Sequence, residues 1–416
     1  MFQFVHHAFP PSVDQNCPNG PTMSGTASDW DVIVTSASTR VGYNIVRSLA
    51  RHGLRVGVGV DQNSGMARYS RYCAGSFLLP SYRAQPEEFI KVLSNTVRAH
   101  ASPVCIPADE DVFIVSQHAD ALREAGARIA VAPLETLQLL DDKYRATRLA
   151  QSLGIPTPAT VMPQSSAEIE AFVRDHAGPV VLKFIRSSAA YGVHYLNADR
   201  LREQLASILA PGGSDYGRFI LQEFVRAPGY GVSMLFDRGR LKAGFAHRRL
   251  RELLPSGGPS TLRQSIRHPE IEAYAERILA NVGYHGVAMV EFKHDAATGR
   301  SWFLEINPRW WGSVALTIQA GADFPVWFYA LAAGREPPPA DYRAGVTVRW
   351  LLGDLLALKN QFQASKRLPR FRELFPRVDG YDDAYADDPC PLAAELLLHL
   401  RKLFRSKGRG RPRPGR

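Results

Sequence analysis

The sequence predicts a mixed α/β and α+β chain, with a doubly wound N-terminal lobe, a longer α+β segment and a helical C-terminal extension. Three observations predict it. Asp31–Thr35 (DVIVT) runs into a small-residue turn, SASTRVG, then YNIVRSLARHG at helical spacing, then LRVGVGVD. That is the strand–helix–strand opening of a parallel sheet. Farther on, two apolar runs, Val287–Phe292 and Trp302–Ile306, flank a polar segment holding Asp295, Thr298 and Gly299, a hairpin signal. From residue 336 onward, prolines interrupt apolar stretches near Trp350–Leu358 and Pro391–Phe404 that read as helices. With 416 residues the chain has room for two or three domains.

Hydrophobic residues make up 45% and charged residues 22%, an ordinary balance for a globular protein. The formal charge of +10 would suggest nucleic acid, but eight Lys or Arg and no acid fall within Arg401–Arg416. The rest of the chain is therefore close to neutral, and no nucleic-acid partner is expected. The basic tail reads as a solvated, disordered segment, with contact to an anionic membrane surface as the lesser alternative. Cys17, Cys73, Cys105 and Cys390 form no C-x-x-C pair, so neither a zinc site nor a disulfide framework is expected. No apolar run approaches the length of about 20 residues that a membrane helix needs. The N-terminus lacks the pattern of a signal peptide, and a cytoplasmic location is expected. Residues 1–30 carry several prolines, asparagines and serines without a periodic pattern and are expected to be a disordered leader. Met23 opens MSGTASDWDVIVTSAS just ahead of the first strand and is expected to be the true start; an intact mass that includes residues 1–22 would contradict this.

In the first lobe the turn after DVIVT lacks G-x-G-x-x-G and keeps only Gly42 at a suitable place, which argues against a dinucleotide site. Apolar segments follow at Ser76–Leu79, Val104–Ile106 and Ile129–Val131. Asp109 and Glu110 sit just past a strand's carboxyl end, where open α/β sheets bind ligands. They read either as substrate contacts or, preferred, as the start of the helix DVFIVSQHADALREAG. Asp141–Leu153 reads as a helix stopped by Gly154. Lys143 is then near the positive end of a helix dipole, a placement that favours a nearby anion, although Asp141 and Asp142 can also account for it. Gly178–Ile185 is a buried type of strand with one lysine, Lys183, which must either snorkel outward or meet an anion. RSSAAYGV follows, a small and hydroxyl-bearing stretch that can present N–H groups to phosphate or simply turn a hairpin. Arg218–Val225 is a further strand. Leu241–Glu252 reads as a basic strand beside a Gly-Gly-x-Ser loop. Clustered arginines there suit a carboxylate or acyl phosphate, with Arg249 preferred to Arg248, or else form a solvated edge. Pro269–Val282 is an amphipathic helix, and ALTIQAGADFPVWFYALAAG a helix pair. Trp310 and Trp311 read as packing residues.

The hairpin carries the chemistry. If it is symmetric about Thr298, Glu291 stands opposite Glu305, while Glu305 and Asn307 share a face because strand side chains alternate. Two carboxylates about 5 Å apart repel by roughly 3 kcal/mol at an effective dielectric of 20. A hard divalent cation reverses that sign, and Mg²⁺ is commonly held by one or two carboxylates plus substrate phosphates. The alternative is a solvent-facing hairpin whose glutamates never meet. Pro308 ends the strand and Arg309 adds a fixed cation.

VEFK followed by FLEINPR resembles the metal-binding end of the ATP-grasp superfamily, which includes biotin carboxylase, carbamoyl phosphate synthetase and D-alanine–D-alanine ligase. The resemblance covers about residues 31–335 and implies a doubly wound lobe (31–133), a two-lobed ATP-grasp domain (134–335) and an extension it does not cover (336–416). It implies that Glu291, Glu305 and Asn307 hold Mg²⁺ (or Mn²⁺) and that Asn307 also meets the ATP phosphates. Arg309 would steady the transferred phosphoryl group. Lys143, within DKxxxxxLAxxLGIPTP, matches the first ATP lysine, and Lys183 the second. Ser187, Ser188 and Gly192 fall in a loose version of the glycine-rich flap, where Ala189 and Ala190 depart from the pattern. Gln222, Glu223, Phe224 and Val225 match the hinge that reads adenine. Tyr230 and Gly231 stand near where the family often carries a ribose-binding glutamate, a second departure. The implied function is an ATP- and Mg²⁺-dependent ligase joining a small carboxylate to an amine, in which Arg309, Lys183 and Arg249 act on the reacting groups. A nucleotide-binding sensor and an ATP-grasp kinase are the alternatives, and a homo-oligomer is left open.

Overall fold

The computed structural model describes residues 29–61, 65–176, 178–185, 192–209, 216–255, 257–338 and 340–397. The leader through residue 28 with Cys17 and Met23, the Ser187–Ser188 turn and the basic tail lie outside the described residues.

Strands β1 (Val32–Thr35), β2 (Val56–Val60), β3 (Gly75–Leu78) and β4 (Val104–Pro107) form a sheet in the order β3-β2-β1-β4, with every pairing parallel. Every residue of β1, β2 and β4 is buried, because helices cover both faces and continuous apolar runs can be used. Ile129–Val131 does not extend this sheet. Arg128 alone makes a bridge to Val104, and the segment is instead wedged against Gly286, where a Cβ would lie 2.7 Å from the Ala130 carbonyl oxygen. The helix expected after Asp111 is broken at His118 into Val112–Gln117 and Ala119–Glu124.

A second, antiparallel sheet has the order β5-β8-β6-β7, from β5 (Thr160–Val161), β6 (Val180–Phe184), β7 (Val193–Leu196) and β8 (Phe219–Glu223). Val180 and Leu182 face the helix Ser166–Asp175 in a small core with Ile169, Val173, Phe219 and Leu221, so alternation turns Val181 and Lys183 to the other face.

The third sheet has seven strands: β9 (Gly229–Asp237), β10 (Arg240–Leu254), β11 (Gly257–Ile266), β12 (Gly286–Asp295), β13 (Arg300–Asn307), β14 (Thr347–Arg349) and β15 (Gly380–Tyr381). Their order is β13-β12-β9-β10-β11-β14-β15. One alternative is set aside here and one expectation corrected. The basic strand is not an edge, since β10 lies between β9 and β11, and most of the Gly-Gly-x-Ser segment is strand β11 rather than loop. Gly257 and Gly258 have φ of +125° and +104°, values open to glycine, and turn the chain at the start of β11. The helix Pro269–Asn281 packs Ile271, Ala275, Ile278 and Leu279 onto one face of this sheet.

The helix pair is Val314–Ala320 and Phe324–Ala332, and Trp310 and Trp311 are each 1% exposed. The extension contains the expected helix, Leu351–Ser365, and residues 390–397 are helical. It also contributes β14 and β15, which widen the large sheet. Among the described residues no helix is long and apolar enough to cross a membrane.

Candidate active site

The structure pairs Glu291 with Glu305, but not by a symmetric turn. Asp295 pairs with Arg300, and its carboxylate accepts from the Ala297 N–H and the Thr298 hydroxyl. Continued without interruption, that register would set Leu304 opposite Glu291 and send Glu305 to the far face. A bulge intervenes: Phe292 pairs with Phe303, Glu291 pairs with Glu305, and Leu304 is the extra residue. The bulge therefore returns Glu305 and Asn307 to the face of Glu291. Asn307 Nδ2 donates to Glu291 Oε1 at 3.2 Å.

Four cations ring the two acids. Asp142, whose carboxylate accepts from the Arg145 N–H at 2.9 Å, interrupts the expected 141–153 helix and starts a new one at Lys143. The buried Lys143 then reaches 3.7 Å from Glu305. Lys183 donates to Gln222 Oε1 at 2.8 Å, and Gln222 in turn donates to Thr160. Arg249 lies 2.6 Å from Glu291 and 3.1 Å from Glu252, and its Nε is buried with no hydrogen-bond partner among the described residues. Arg309 donates to the Trp310 carbonyl at 3.0 Å. Arg248 instead points outward and holds Gln264.

The electrostatics split the pair. Burial and the charge of Glu305 hold Glu291 above the usual carboxylate range, against the pull of Arg249. Burial also opposes ionisation of Glu305, but Lys143, Lys183, Arg249 and Arg309 together bring it below its ordinary value. Lys183 is lowered by burial, with Glu305 opposing and Lys143 assisting. His247, buried between Arg249 and Arg263, is pushed down to about 3 by burial first and then by those arginines, so it is neutral.

These groups open into a cavity of about 820 Å³, within the usual range for a ligand site. The second and third sheets wall it, together with connecting segments of the first lobe. Lys183, Gln222, Glu223, Phe224 and Val225 come from the second sheet and its exit, and Phe224 and Val225 lie beyond the last ladder pair of β8. The Glu223 carboxylate accepts from the Ala159 N–H. The first lobe supplies Arg40 from the start of the Arg40–Arg51 helix, Arg83 from the segment after β3, and Asp109 and Glu110 from just past β4. The two readings of Asp109 and Glu110 are not exclusive: their carbonyls accept from the Val112 and Phe113 N–H groups at the start of the helix, and both residues also line the cavity, with Glu110 paired to Arg83. Gly192 has φ +73° beside the Phe184 ring and stands at the edge, next to the lining residue Val193.

Sequence reasoning missed Arg40, Tyr195, His247, Glu252, Lys293 and Trp350, which also line the cavity. Glu252 and Lys293 lie two residues or three from recognised positions on the same strands, and period-two alternation could have found Lys293 beside Glu291. The departure at Gly231 has a steric reason. A Cβ there would lie 2.4 Å from the His247 ring, so the imidazole occupies the space a side chain would need.

Residues 216–353 match the family model described as "ATP-grasp in the biosynthetic pathway with Ter operon". D-alanine–D-alanine ligase of Chromohalobacter salexigens is 26% identical over 40% of this chain and 54% of its own length. Formate-dependent phosphoribosylglycinamide formyltransferase of Mycolicibacterium smegmatis is 28% identical over 46% of this chain and 50% of its own. Acetyl-CoA carboxylase 1 of Oryza sativa is 26% identical over 46% of this chain but only 10% of its own. The chain thus spans about half, or far less, of the curated relatives it matches.

Among solved structures, the biotin carboxylase domain dimer of Hydrogenobacter thermophilus 2-oxoglutarate carboxylase, in complex with MgADP, ADP and bicarbonate, overlays with TM-score 0.61 at 14% identity. It covers 77% of this chain and 74% of that one. Staphylococcus aureus N5-carboxyaminoimidazole synthetase with ADP overlays with TM-score 0.61 at 17% identity, covering 83% and 89%. At such identities the overlays speak for the fold, and the family match covers the strands that carry Arg249, Glu291, Glu305 and Asn307. Over residues 216–353 the chain thus matches the ATP-grasp family, and over most of its length it has the fold of these biotin carboxylase and synthetase structures.

Proposed function

We propose that the protein is an ATP- and Mg²⁺-dependent ligase that activates a small carboxylate as an acyl phosphate and joins it to an amine, releasing ADP and phosphate. The observation that carries this reading is the pairing of Glu291 with Glu305, Asn307 beside them, inside the ring of Lys143, Lys183, Arg249 and Arg309. The residues fit the missing groups by charge. Eight Lys or Arg against six carboxylates in the cavity lining leave an excess of two, and a divalent ion makes the excess match the roughly four negative charges of ATP. The orphaned Nε–H of Arg249 is a further donor awaiting an anion.

Glu291, Glu305 and Asn307 would hold Mg²⁺ (or Mn²⁺), which when bound neutralises phosphate charge during transfer. Lys143 and Lys183 would position the phosphates, with Ser187, Ser188 and Gly192 as further phosphate contacts. The Glu223–Val225 backbone would meet adenine, beside the Lys183–Gln222 pair. A substrate carboxylate oxygen attacks the terminal phosphorus, the bond to ADP breaks, and ADP leaves. Arg309 would stabilise the phosphoryl group in flight, and Arg249 would grip the acyl phosphate through its fork of donors. The amine lone pair then attacks the carbonyl carbon, the bond to phosphate breaks, and the nitrogen loses a proton. Opposed charges at the far wall, Arg40 and Arg83 against Asp109 and Glu110, suit a substrate carrying both ammonium and carboxylate, as an amino acid does.

The test is a coupled ADP-release screen of amino acids in pairs, with phosphate and AMP measured in parallel. ADP and phosphate that require both an acid and an amine are expected, without AMP. Amine-independent ADP release with a stable phosphorylated product would instead indicate a kinase. Background turnover across the panel would leave nucleotide binding alone.

A further inference from the structure

Behind the nucleotide cavity, on the other face of the same hairpin, two histidines and a glutamate converge. His294 is one residue beyond Lys293 on β12, so alternation turns it away from the cavity. It meets His268, which immediately precedes the helix Pro269–Asn281, and Glu270 in that helix's first turn. One ligand atom from each of the three lies within 4.8 Å of the others. The imidazole centroids are 4.4 Å apart with the rings nearly perpendicular, and Tyr230 packs its edge against both.

The surrounding hydrogen bonds set a tautomer. Ser301, directly opposite His294 in the hairpin and buried, donates its hydroxyl proton to Glu270 Oε2. The 2.9 Å contact between Ser301 Oγ and His294 Nδ1 must then use the imidazole's proton, which leaves the lone pair on Nε2. A ring whose second nitrogen is committed to such a partner is the arrangement that orients metal-ligating histidines. Glu270 is steadied on its other oxygen by the Tyr274 hydroxyl at 3.2 Å.

We propose that His268, Glu270 and His294 form a second divalent-metal site, of the Zn²⁺ type, that fastens the start of the Pro269–Asn281 helix to the β12–β13 hairpin. Two imidazoles and one carboxylate suit Zn²⁺ and not Mg²⁺, which prefers oxygen alone. Three protein ligands leave a fourth position to water. Bonds of about 2.0–2.2 Å would bring tetrahedral ligand atoms to about 3.4 Å from one another. The exposed Glu270 side chain can make most of that adjustment. His294 is three residues from Glu291, roughly 10 Å along the strand, so the fastening would hold the hairpin whose register sets the cavity's acids.

The test uses the full-length protein stripped with a chelator and titrated with Co²⁺ under saturating Mg²⁺, reading visible d–d absorption. Thermal melting with and without Zn²⁺ is the second readout. One equivalent of Co²⁺ is expected, together with a rise in melting temperature on adding Zn²⁺. Either His268→Asn or His294→Ala should weaken binding by about 100-fold, and Glu270→Gln by at least about tenfold. Glu305→Gln should leave the Co²⁺ signal intact, which separates this site from the nucleotide cavity. Glu270→Gln alters an exposed side chain and keeps the test valid if a histidine variant fails to fold. No band in the parent protein at 100-fold excess Co²⁺, or undiminished binding in all three variants, would overturn the proposal.

Discussion

The protein holds two ionic networks built from the same residue types, and they are finished differently. At the cavity, Glu291 and Glu305 keep 13% and 27% of their side chains exposed, cations outnumber acids, and Lys143 stays 3.7 Å from its acid. On the far side of β11, the extension brings in acids that are fully enclosed. Asp354, with no exposure, receives Arg251 at 2.6 Å, Arg349 at 2.8 Å and Thr261 at 2.7 Å. Asp382, also unexposed, pairs with both Arg40 and Arg263. Asp383 accepts from the Leu351 and Leu352 N–H groups at the start of their helix, and Asp388 from Tyr43, Ser70 and Arg71. Charges that face a cavity with cations in excess can take a new partner, whereas charges closed off from water hold the chain together. Arg40 belongs to both, since it also lines the cavity.

Exchanging one acid in each network should separate these roles. Glu305→Gln or Asn307→Ala should lower ADP formation by about 10³-fold or more while leaving the melting curve in place. A comparable loss of stability would erase the distinction between the networks. Asp354→Asn should do the reverse, because neither Arg251 nor Arg349 lines the cavity. It strands two largely buried guanidinium groups, costs about 3 kcal/mol in a denaturant titration, and affects turnover chiefly through the loss of folded protein.

A smaller effect concerns protons. Glu291 is held above the usual carboxylate range in the free protein, so it takes up a proton at a higher pH than an ordinary glutamate does. Cation binding requires the carboxylate, so Mg²⁺-nucleotide should release a proton there, and affinity should rise with pH through that window by at most about tenfold per unit. Calorimetry in buffers of different ionisation enthalpy checks this, and Glu291→Gln should abolish the release. The smallest effect is reserved for Arg248→Ala. Its side chain faces Gln264 outside the cavity, and stability and ADP formation should stay within about 0.5 kcal/mol of the parent, in contrast to Arg249→Ala.

The two networks were not equally legible. The cavity's acids and amide sit within 17 residues, Glu291 to Asn307, and strand alternation with a turn signal nearly specifies their meeting. Even there the right pair came with the wrong turn, because a bulge at Leu304 depends on packing that no local pattern displays. Lys143 and Lys183 were visible as lysines in places where lysine is costly. The enclosed network was invisible for a different reason. Arg40 and Asp382 are 342 positions apart, and the run YDDAYADD reads as a polar loop until the fold brings three arginine-bearing elements against it. Likewise the solvated-edge alternative for β10 stayed open because its covering neighbour, β11, was disguised by Gly-Gly-Pro-Ser.

The most direct test is a crystal structure with Mn²⁺ and a non-hydrolysable ATP analogue, using the anomalous signal to locate the metal. Mn²⁺ is expected between Glu305, Asn307 and Glu291, with the phosphates against Lys143 and Lys183 and Arg249 drawn off Glu291. A bound triphosphate whose metal touches neither glutamate, or a nucleotide lying away from Lys183, would contradict the central claim.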